Sequence, residues 1–106
     1  MAEAMNTINQ TDQFRAWLTG LADKVLKGAV VSRITRAANG VFGDCHDVGD
    51  GVWEMRIHVG AGTRVYYVRD GLTVYLLLDG GGKKGQKADI AAAKALWTKI
   101  QKERKK

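Results

Sequence analysis

Hydrophobic and polar residues alternate between Val52 and Asp79, and this alternation predicts three antiparallel strands that follow one another as a meander. Residues 60–62 (Gly-Ala-Gly) separate the first strand from the second, and Asp70-Gly71 separates the second from the third. Asp-Gly between β-branched and aromatic residues is a strong hairpin signal, because both central residues of a type I′ turn need positive φ. The meander is therefore expected to contain two tight hairpins.

The lengths of these turns decide which side chains share a face, because successive side chains of a strand point to opposite sides. A three-residue turn at 60–62 places Arg56 opposite Tyr66, and a two-residue Asp-Gly turn then places Tyr75 opposite Tyr66 as well. A two-residue first turn would instead flip the second strand and remove the polar cluster. The expected polar face consists of Glu54, Arg56, His58, Arg64, Tyr66 and Tyr75. The expected core face consists of Trp53, Met55, Ile57, Val59, Val65, Tyr67, Val74, Leu76 and Leu78.

Two helices are predicted before the meander, preceded by a short edge strand at Asn6–Gln10. Thr11 or Asp12 occupies the N-cap of the first helix. The second helix spans Ala22–Asn39 and ends at a favourable Asn-Gly C-cap. Apolar residues recur at helical spacing in both: Phe14, Trp17, Leu18 and Leu21 in the first, and Leu26, Val30, Ile34 and Ala37 in the second. This helical hairpin is expected to cover the apolar face of the meander.

The segments that flank the meander complete an α+β fold. Val41–Asp50 is punctuated by Gly and Asp and predicts one irregular strand. Its His46 stands between two aspartates, but one histidine and two loosely placed carboxylates do not define a metal site. A last helix is predicted from Gln86 to Glu103, with Trp97 as a packing anchor. Its apolar stripe is Ile90, Ala93, Trp97 and Ile100.

Length and composition point to a single domain over residues 1–106, with flexible ends at 1–5 and 103–106. No apolar run reaches the roughly 18 residues of a membrane span, so we expect no membrane partner. The first ten residues have neither a charged n-region nor an apolar h-region, so we expect no signal peptide. The single Cys45 allows no intramolecular disulfide and no metal-ligand set. A reducing cytoplasm is the expected location.

The excess positive charge is concentrated after the meander. Residues 1–82 contain eight Lys/Arg and nine Asp/Glu (8 − 9 = −1), whereas residues 83–106 contain nine and two (9 − 2 = +7), which together make the net charge of +6. Lys83, Lys84 and Lys87 project from a glycine-rich turn whose spacing is not that of a P-loop. Such charge favours a polyanionic partner, although a basic helix end also serves solubility.

The polar face of the meander is suited to binding and cleaving single-stranded RNA. Arginine matches the geometry of phosphate oxygens, tyrosine stacks on unpaired bases, and histidine or glutamate can move protons. Cleavage without a metal needs a base for the 2′-hydroxyl, cations for the phosphorane and an acid for the leaving 5′-oxygen. Two alternatives remain open from the residues alone. Tyr66 and Tyr75 can pack beneath the last helix, and Arg56 can pair with Glu54 or Asp79.

Four motifs give the chain a resemblance to a known family: the helix start at 14–18, FGD at 42–44, the hairpin segment 48–71, and 76–97 with its glycine-rich turn. Together they resemble the RelE/ParE toxins of bacterial toxin–antitoxin modules, most closely the HigB-like "addiction module killer" branch. The resemblance covers about residues 8–100 and implies the order β-α-α-β-β-β-α. The matching residues are Glu54, Arg56, Ile57, Gly62, Arg64, Val65, Tyr66, Gly81, Lys84, Gln86, Asp89 and Ile90.

The resemblance implies a metal-independent endoribonuclease without a cofactor, which cleaves mRNA on the ribosome and is neutralised by an antitoxin, expected to be of the helix-turn-helix type. It implies that Arg64 and Arg56 contact the phosphate, with Lys83 or Lys84 at the basic turn. Such enzymes often place a tyrosine near the last helix, and residues 85–94 contain none. His58 or Glu54 would then accept the proton. The resemblance also allows a ParE-like inhibitor of DNA gyrase or a non-catalytic antitoxin-binding domain.

Overall fold

The computed structural model describes residues 5–60 and 62–105. It confirms an α+β fold, in which one five-stranded sheet carries three helices. The elements are β1 (Thr7–Gln10), α1 (Asp12–Thr19), α2 (Lys24–Ala38), β2 (Cys45–Gly49), β3 (Val52–Ile57), β4 (Thr63–Arg69), β5 (Val74–Gly81) and α3 (Gln86–Arg104). Of the ends expected to be flexible, residues 1–4 and 106 lie outside the described residues, whereas Glu103 and Arg104 belong to α3. Among the described helices, none is both long and apolar enough to cross a membrane.

The strands are ordered β1-β5-β4-β3-β2 across the sheet. β1 pairs with β5 in parallel, and the other neighbours are antiparallel. The predicted irregular strand within 41–50 is β2, whose pairing with β3 is interrupted between Asp47 and Gly49. The element order therefore contains one strand more than the order that the resemblance implies.

The first helix begins, and the second helix ends, where the predicted capping residues lie. The side-chain oxygen of Thr11 accepts a hydrogen bond from the Phe14 N–H at 3.0 Å and donates one to the Leu78 carbonyl at 2.7 Å. The second contact ties the start of α1 to β5. α2 begins at Lys24, two residues after the predicted Ala22, because Asp23 is its N-cap. Asn39 is its C-cap, as predicted, and is followed by Gly40 at φ +87°.

Both faces of the sheet are covered, and the cover over the predicted polar face is the alternative that the sequence left open for Tyr66. α1 and α2 cover one face around a core of Phe14, Val30, Ala37, Met55, Ile57, Val65, Tyr67 and Leu77. α3 covers the other around a core of Val52, Tyr66, Val68, Leu76, Leu78 and Ala93, with Trp97 packed against it as predicted. Trp53 was expected in the core but is 39% exposed.

The first hairpin differs from the prediction in register but not in face. Ile57 pairs with Thr63, so the loop is 58–62, two residues longer than the predicted turn. Arg56 consequently pairs with Arg64, and Glu54 rather than Arg56 pairs with Tyr66. Because the shift is even, every side chain keeps its predicted face.

The second hairpin was predicted wrongly. Tyr75 pairs with Arg69 instead of Tyr66, and a further irregularity follows between Tyr66 and Tyr67. An odd shift exchanges the faces, so Tyr75 joins the core under α1 and α2, while the predicted core residues Leu76 and Leu78 lie under α3. Neither residue of the Asp-Gly pair has positive φ, which excludes the type I′ turn. The wider loop is closed by the Arg69 guanidinium, which donates to two loop carbonyls at 3.1 and 2.7 Å.

Candidate functional site

An open cleft of about 1070 Å³ lies between loop 58–62 and the glycine-rich turn after β5. Five of the residues predicted to form a site line it: Arg56, His58, Arg64, Lys83 and Lys84. The remaining lining residues are small or apolar: Ile57, Gly60, Gly62, Thr63 and Gly82. The cleft thus unites the basic residues of the meander with those of the turn, which are separated by about twenty residues in the sequence.

Glycine at position 62 allows the two walls of the cleft to approach closely. Gly62 has φ +78°, and a Cβ atom built on it would lie 3.1 Å from the Lys83 Cβ and 3.3 Å from the Arg64 Nη1. A side chain here would be strained and would push against both walls. The glycine of the matching G-x-R motif therefore has a packing role in this chain.

A buried carboxylate lies beneath the cleft and connects both arginines with α3. The Glu54 side chain is fully buried. Its Oε1 accepts a hydrogen bond from the Arg56 Nε at 2.7 Å and lies 3.5 Å from the Arg64 Nε, and its Oε2 accepts one from the Gln86 Nε2 at 2.7 Å. Glu54 therefore links β3, β4 and the first turn of α3. Since both oxygens are occupied and out of contact with solvent, Glu54 is not placed to accept a proton from a substrate.

The ionisation of Glu54 follows from these contacts. Burial by itself raises the pKa of this carboxyl, but the hydrogen bonds from Arg56 and Gln86 and the charges of both arginines outweigh burial, so the pKa is lowered overall. The same contact raises the pKa of Arg56, chiefly through the hydrogen bond to Glu54. At neutral pH the group is therefore an anion that holds two cations at the floor of the cleft.

Arg64 is the more restrained of the two arginines. Its side chain is 10% exposed, against 40% for Arg56. Its Nη1 donates to the Gly62 carbonyl at 2.7 Å. In the described part of the chain, the Arg64 Nε has no hydrogen-bond partner, because its contact with Glu54 is a charge contact at 3.5 Å. Arg56 pairs with Glu54, one of the two partners that the sequence left open.

Tyr66 is buried and lies outside the surface of the cleft. Its exposure is 0%, and within the described residues its hydroxyl has no hydrogen-bond partner. Burial, together with the negative charges of Glu54 and Asp89, raises its pKa to about 12. Tyr75 contacts Phe42, with ring centroids 4.8 Å apart, on the opposite side of the sheet. Neither tyrosine is therefore presented to the cleft as a platform for stacking bases.

Lys87 lies on the exposed side of the first turn of α3 and does not line the cleft. Two other basic groups of α3 are paired elsewhere. Lys94 lies 3.6 Å from Asp50, and Arg104 forms a bidentate contact with Asp70 at 2.6 and 2.9 Å. Lys83 and Lys84 in the turn line the cleft and form no ion pair with any of the residues that the structure describes.

His58 is held at the mouth of the cleft by an aspartate that sequence reasoning gave no role. Its Nε2 lies 2.7 Å from the Asp44 Oδ2, and the His46 Nε2 lies 2.6 Å from the Asp44 Oδ1. The hydrogen bonds from His58 and His46 lower the pKa of Asp44. The two imidazoles use opposite oxygens of one carboxylate, and among the described residues there is no group of three or more His, Cys, Asp and Glu suited to hold a metal ion. Asp44 belongs to the FGD motif at 42–44, and this motif was the feature of the sequence that could have pointed to a role for Asp44.

The family model described as "Phage derived protein Gp49-like (DUF891)" matches residues 16–98, from the middle of α1 to the last turns of α3. The chain belongs to the Gp49-like family. This family is toxin-like and of the addiction-module type, which agrees with the coarser part of the predicted resemblance. The matched segment of the Gp49-like chain contains every residue of the cleft.

A relative of the chain supports the same assignment. An uncharacterized protein of Haemophilus influenzae (strain ATCC 51907 / DSM 11121 / KW20 / Rd) is 40% identical over 89 residues, which cover 84% of this chain and 90% of the relative. No solved structure matches the chain.

Proposed function

We propose that this Gp49-like protein is the toxin of a type II toxin–antitoxin module and that it cleaves mRNA in the cleft beside Glu54. The observation that carries the proposal is the pair Arg56 and Arg64, both held against one buried carboxylate in a cleft that also contains Lys83 and Lys84. Preorganised cations of this kind stabilise developing charge because they need no rearrangement during the reaction.

The chemistry assigned to the cleft is attack of a ribose 2′-oxygen on the adjacent phosphate. Lys83 and Lys84 bind the backbone, and Arg56 and Arg64 stabilise the phosphorane. His58 lines the cleft with a 73% exposed side chain and takes the 2′-hydroxyl proton, whereas Glu54 is too enclosed for that role.

The cellular setting forms part of the proposal. The resemblance to the RelE/ParE superfamily and its HigB-like branch supports cleavage of ribosome-bound mRNA in the cytoplasm and neutralisation by an antitoxin. We propose that the antitoxin covers the cleft with acidic residues, because opposite charge would occupy the arginines and lysines that RNA needs.

The test is to induce the protein in a bacterial cell and map mRNA 5′ ends. We expect new ends within translated frames, and we expect Arg56→Gln to reduce them by about 100-fold, as loss of one transition-state contact does. Arg56 is preferred to Arg64 for substitution because it is partly exposed and its loss leaves Glu54 with Arg64 and Gln86.

A charge-matched comparison separates the cleft from basic charge in general. Lys83→Gln/Lys84→Gln should reduce cleavage strongly, whereas Lys99→Gln/Lys102→Gln, which removes the same charge from the exposed side of α3, should leave it nearly unchanged. If growth stops while mRNA stays intact and double-strand DNA breaks accumulate, the protein is a gyrase inhibitor and the proposal is wrong. Harmless expression would indicate a non-catalytic antitoxin-binding domain.

A further inference from the structure

We infer that Asp44 is a positioning residue that holds the His58 ring in one orientation and one tautomer, so that the His58 Nδ1 faces the reaction as an unprotonated base. The inference rests on the proposed function for the use of that base. The orientation itself is a property of the free protein.

Asp44 is held by a backbone hydrogen bond, and its side chain in turn holds His58. The backbone carbonyl of Asp44 accepts a hydrogen bond from the Arg56 N–H at 2.9 Å, which places it beside the end of β3. From there its Oδ2 reaches the His58 Nε2 at 2.7 Å. His58 follows Arg56 by two residues, so one short segment anchors the carboxylate and presents the ring.

The state of the Asp44 carboxyl decides which nitrogen carries the proton. Hydrogen bonds from His58 and His46 lower the pKa of Asp44, so the group is an anion at neutral pH. An ionised carboxylate only accepts hydrogen bonds. The His58 Nε2 must therefore carry a hydrogen, and the neutral ring keeps its lone pair on Nδ1.

Position relative to the cleft distinguishes the two histidines. His58 lines the cleft together with Arg56 and Lys84, whereas His46 contacts the same carboxylate without lining the cleft. Asp44 thus positions His58 for chemistry, and its other oxygen contacts His46 outside the cleft. His46 provides a control that shares the carboxylate but not the cleft.

The proposed reaction transfers one proton to His58 and replaces one phosphorus–oxygen bond by another. The His58 Nδ1 takes the 2′-hydroxyl proton as the 2′-oxygen forms a bond to phosphorus. The bond from phosphorus to the 5′-oxygen breaks, and the leaving oxygen takes a proton from water in the open cleft. The products are a 2′,3′-cyclic phosphate and a 5′-hydroxyl, and the imidazolium later returns its proton to solvent.

The first measurement uses the free protein labelled with ¹⁵N-histidine. In the wild type we expect the ¹⁵N shifts of His58 to show the Nε2–H tautomer alone and an ordered ring. In Asp44→Ala we expect a mixture of both tautomers and a disordered ring. Equal tautomer populations and equal ring order in the two proteins would overturn the inference, whether or not the protein cleaves RNA.

The second measurement is the single-turnover cleavage rate of ribosome-bound mRNA at saturating protein. Asp44→Ala should slow cleavage by about 100-fold without weakening binding, as expected when a catalytic group loses its orientation. The cleavage rate of His46→Ala should stay within about threefold of the wild-type rate, because His58 and not His46 is the general base. Wild-type speed for Asp44→Ala, with His58→Ala inactive, would overturn the positioning role. If the wild-type protein shows a single His58 tautomer but does not cleave RNA, the proposed function is refuted, whereas the orientation of His58 by Asp44 stands.

Discussion

Replacing Glu54 by glutamine removes the one negative charge that both arginines of the cleft contact. Glutamine has nearly the same shape, so the change is mainly electrostatic. It leaves the largely buried Arg64 without a counter-charge, and it brings an amide NH₂ towards one of the donors, Arg56 or Gln86. The free energy of unfolding should therefore fall.

The magnitude follows from burial. Removing one member of a buried ion pair costs about 3–5 kcal/mol. The lower end applies here because Arg56 is 40% exposed and solvent screens it, so we expect a loss of about 3 kcal/mol. For a domain of this size, that loss corresponds to a fall in Tm of about 12 °C.

Urea unfolding followed by tryptophan fluorescence measures the effect, with Glu103→Gln as the control. Glu103 is exposed on α3, so the same chemical change there should alter stability by less than about 0.5 kcal/mol. Because the pKa of Glu54 is lowered in the folded state, its stabilisation is present above its ordinary value of 4.5 and is lost as pH falls through the folded value. The difference between wild type and Glu54→Gln should accordingly shrink as the pH falls below 4.5. Equal effects of the two substitutions at neutral pH would refute the account of Glu54 as a buried counter-charge.

Two further predictions concern the packing of α3 and α1 against the sheet. Tyr66→Phe removes a buried hydroxyl that has no hydrogen-bond partner among the described residues, so thermal unfolding should show equal or slightly greater stability, by up to about 1 kcal/mol; a clear loss would mean that the hydroxyl is bonded. Gly80→Ala should destabilise the protein by about 1–3 kcal/mol, because a Cβ there meets the rigid ring of Trp17, whereas Gly82→Ala, with open space around it, should be nearly neutral in the same measurement.

The comparison of the two hairpins shows where prediction from sequence succeeds and where it fails. In the first hairpin the loop was misjudged by two residues, yet Arg56 and Arg64 stayed on the predicted face because an even slip preserves the faces. In the second an odd slip moved Tyr75 to the other side of the sheet. The turn sequence alone was misleading there, because the long-range contact of Asp70 with Arg104 and the closure by Arg69 favour a wider loop.

The candidate site was predicted in part for a related reason. Position in the meander and in the glycine-rich turn was enough to select the five basic residues of the cleft. The hydrogen bond from Gln86 to Glu54 joins residues 32 positions apart in the sequence, and the contact of Asp44 with His58 joins residues 14 positions apart. Contacts of that separation depend on how α3 and β2 pack on the sheet, and local patterns do not determine packing.

The sequence by itself determined the type and approximate limits of the helices and strands, the N-cap of α1 and the C-cap of α2, and the concentration of basic charge after the meander. These properties depend on periodicity and capping within a few residues, and they are local. Only the tertiary structure decided which face of β5 is buried by which helix, that Tyr66 lies under α3, and that Asp44 reaches His58. Loop closure and side-chain packing between distant segments set these features, and both are properties of the assembled sheet and helices.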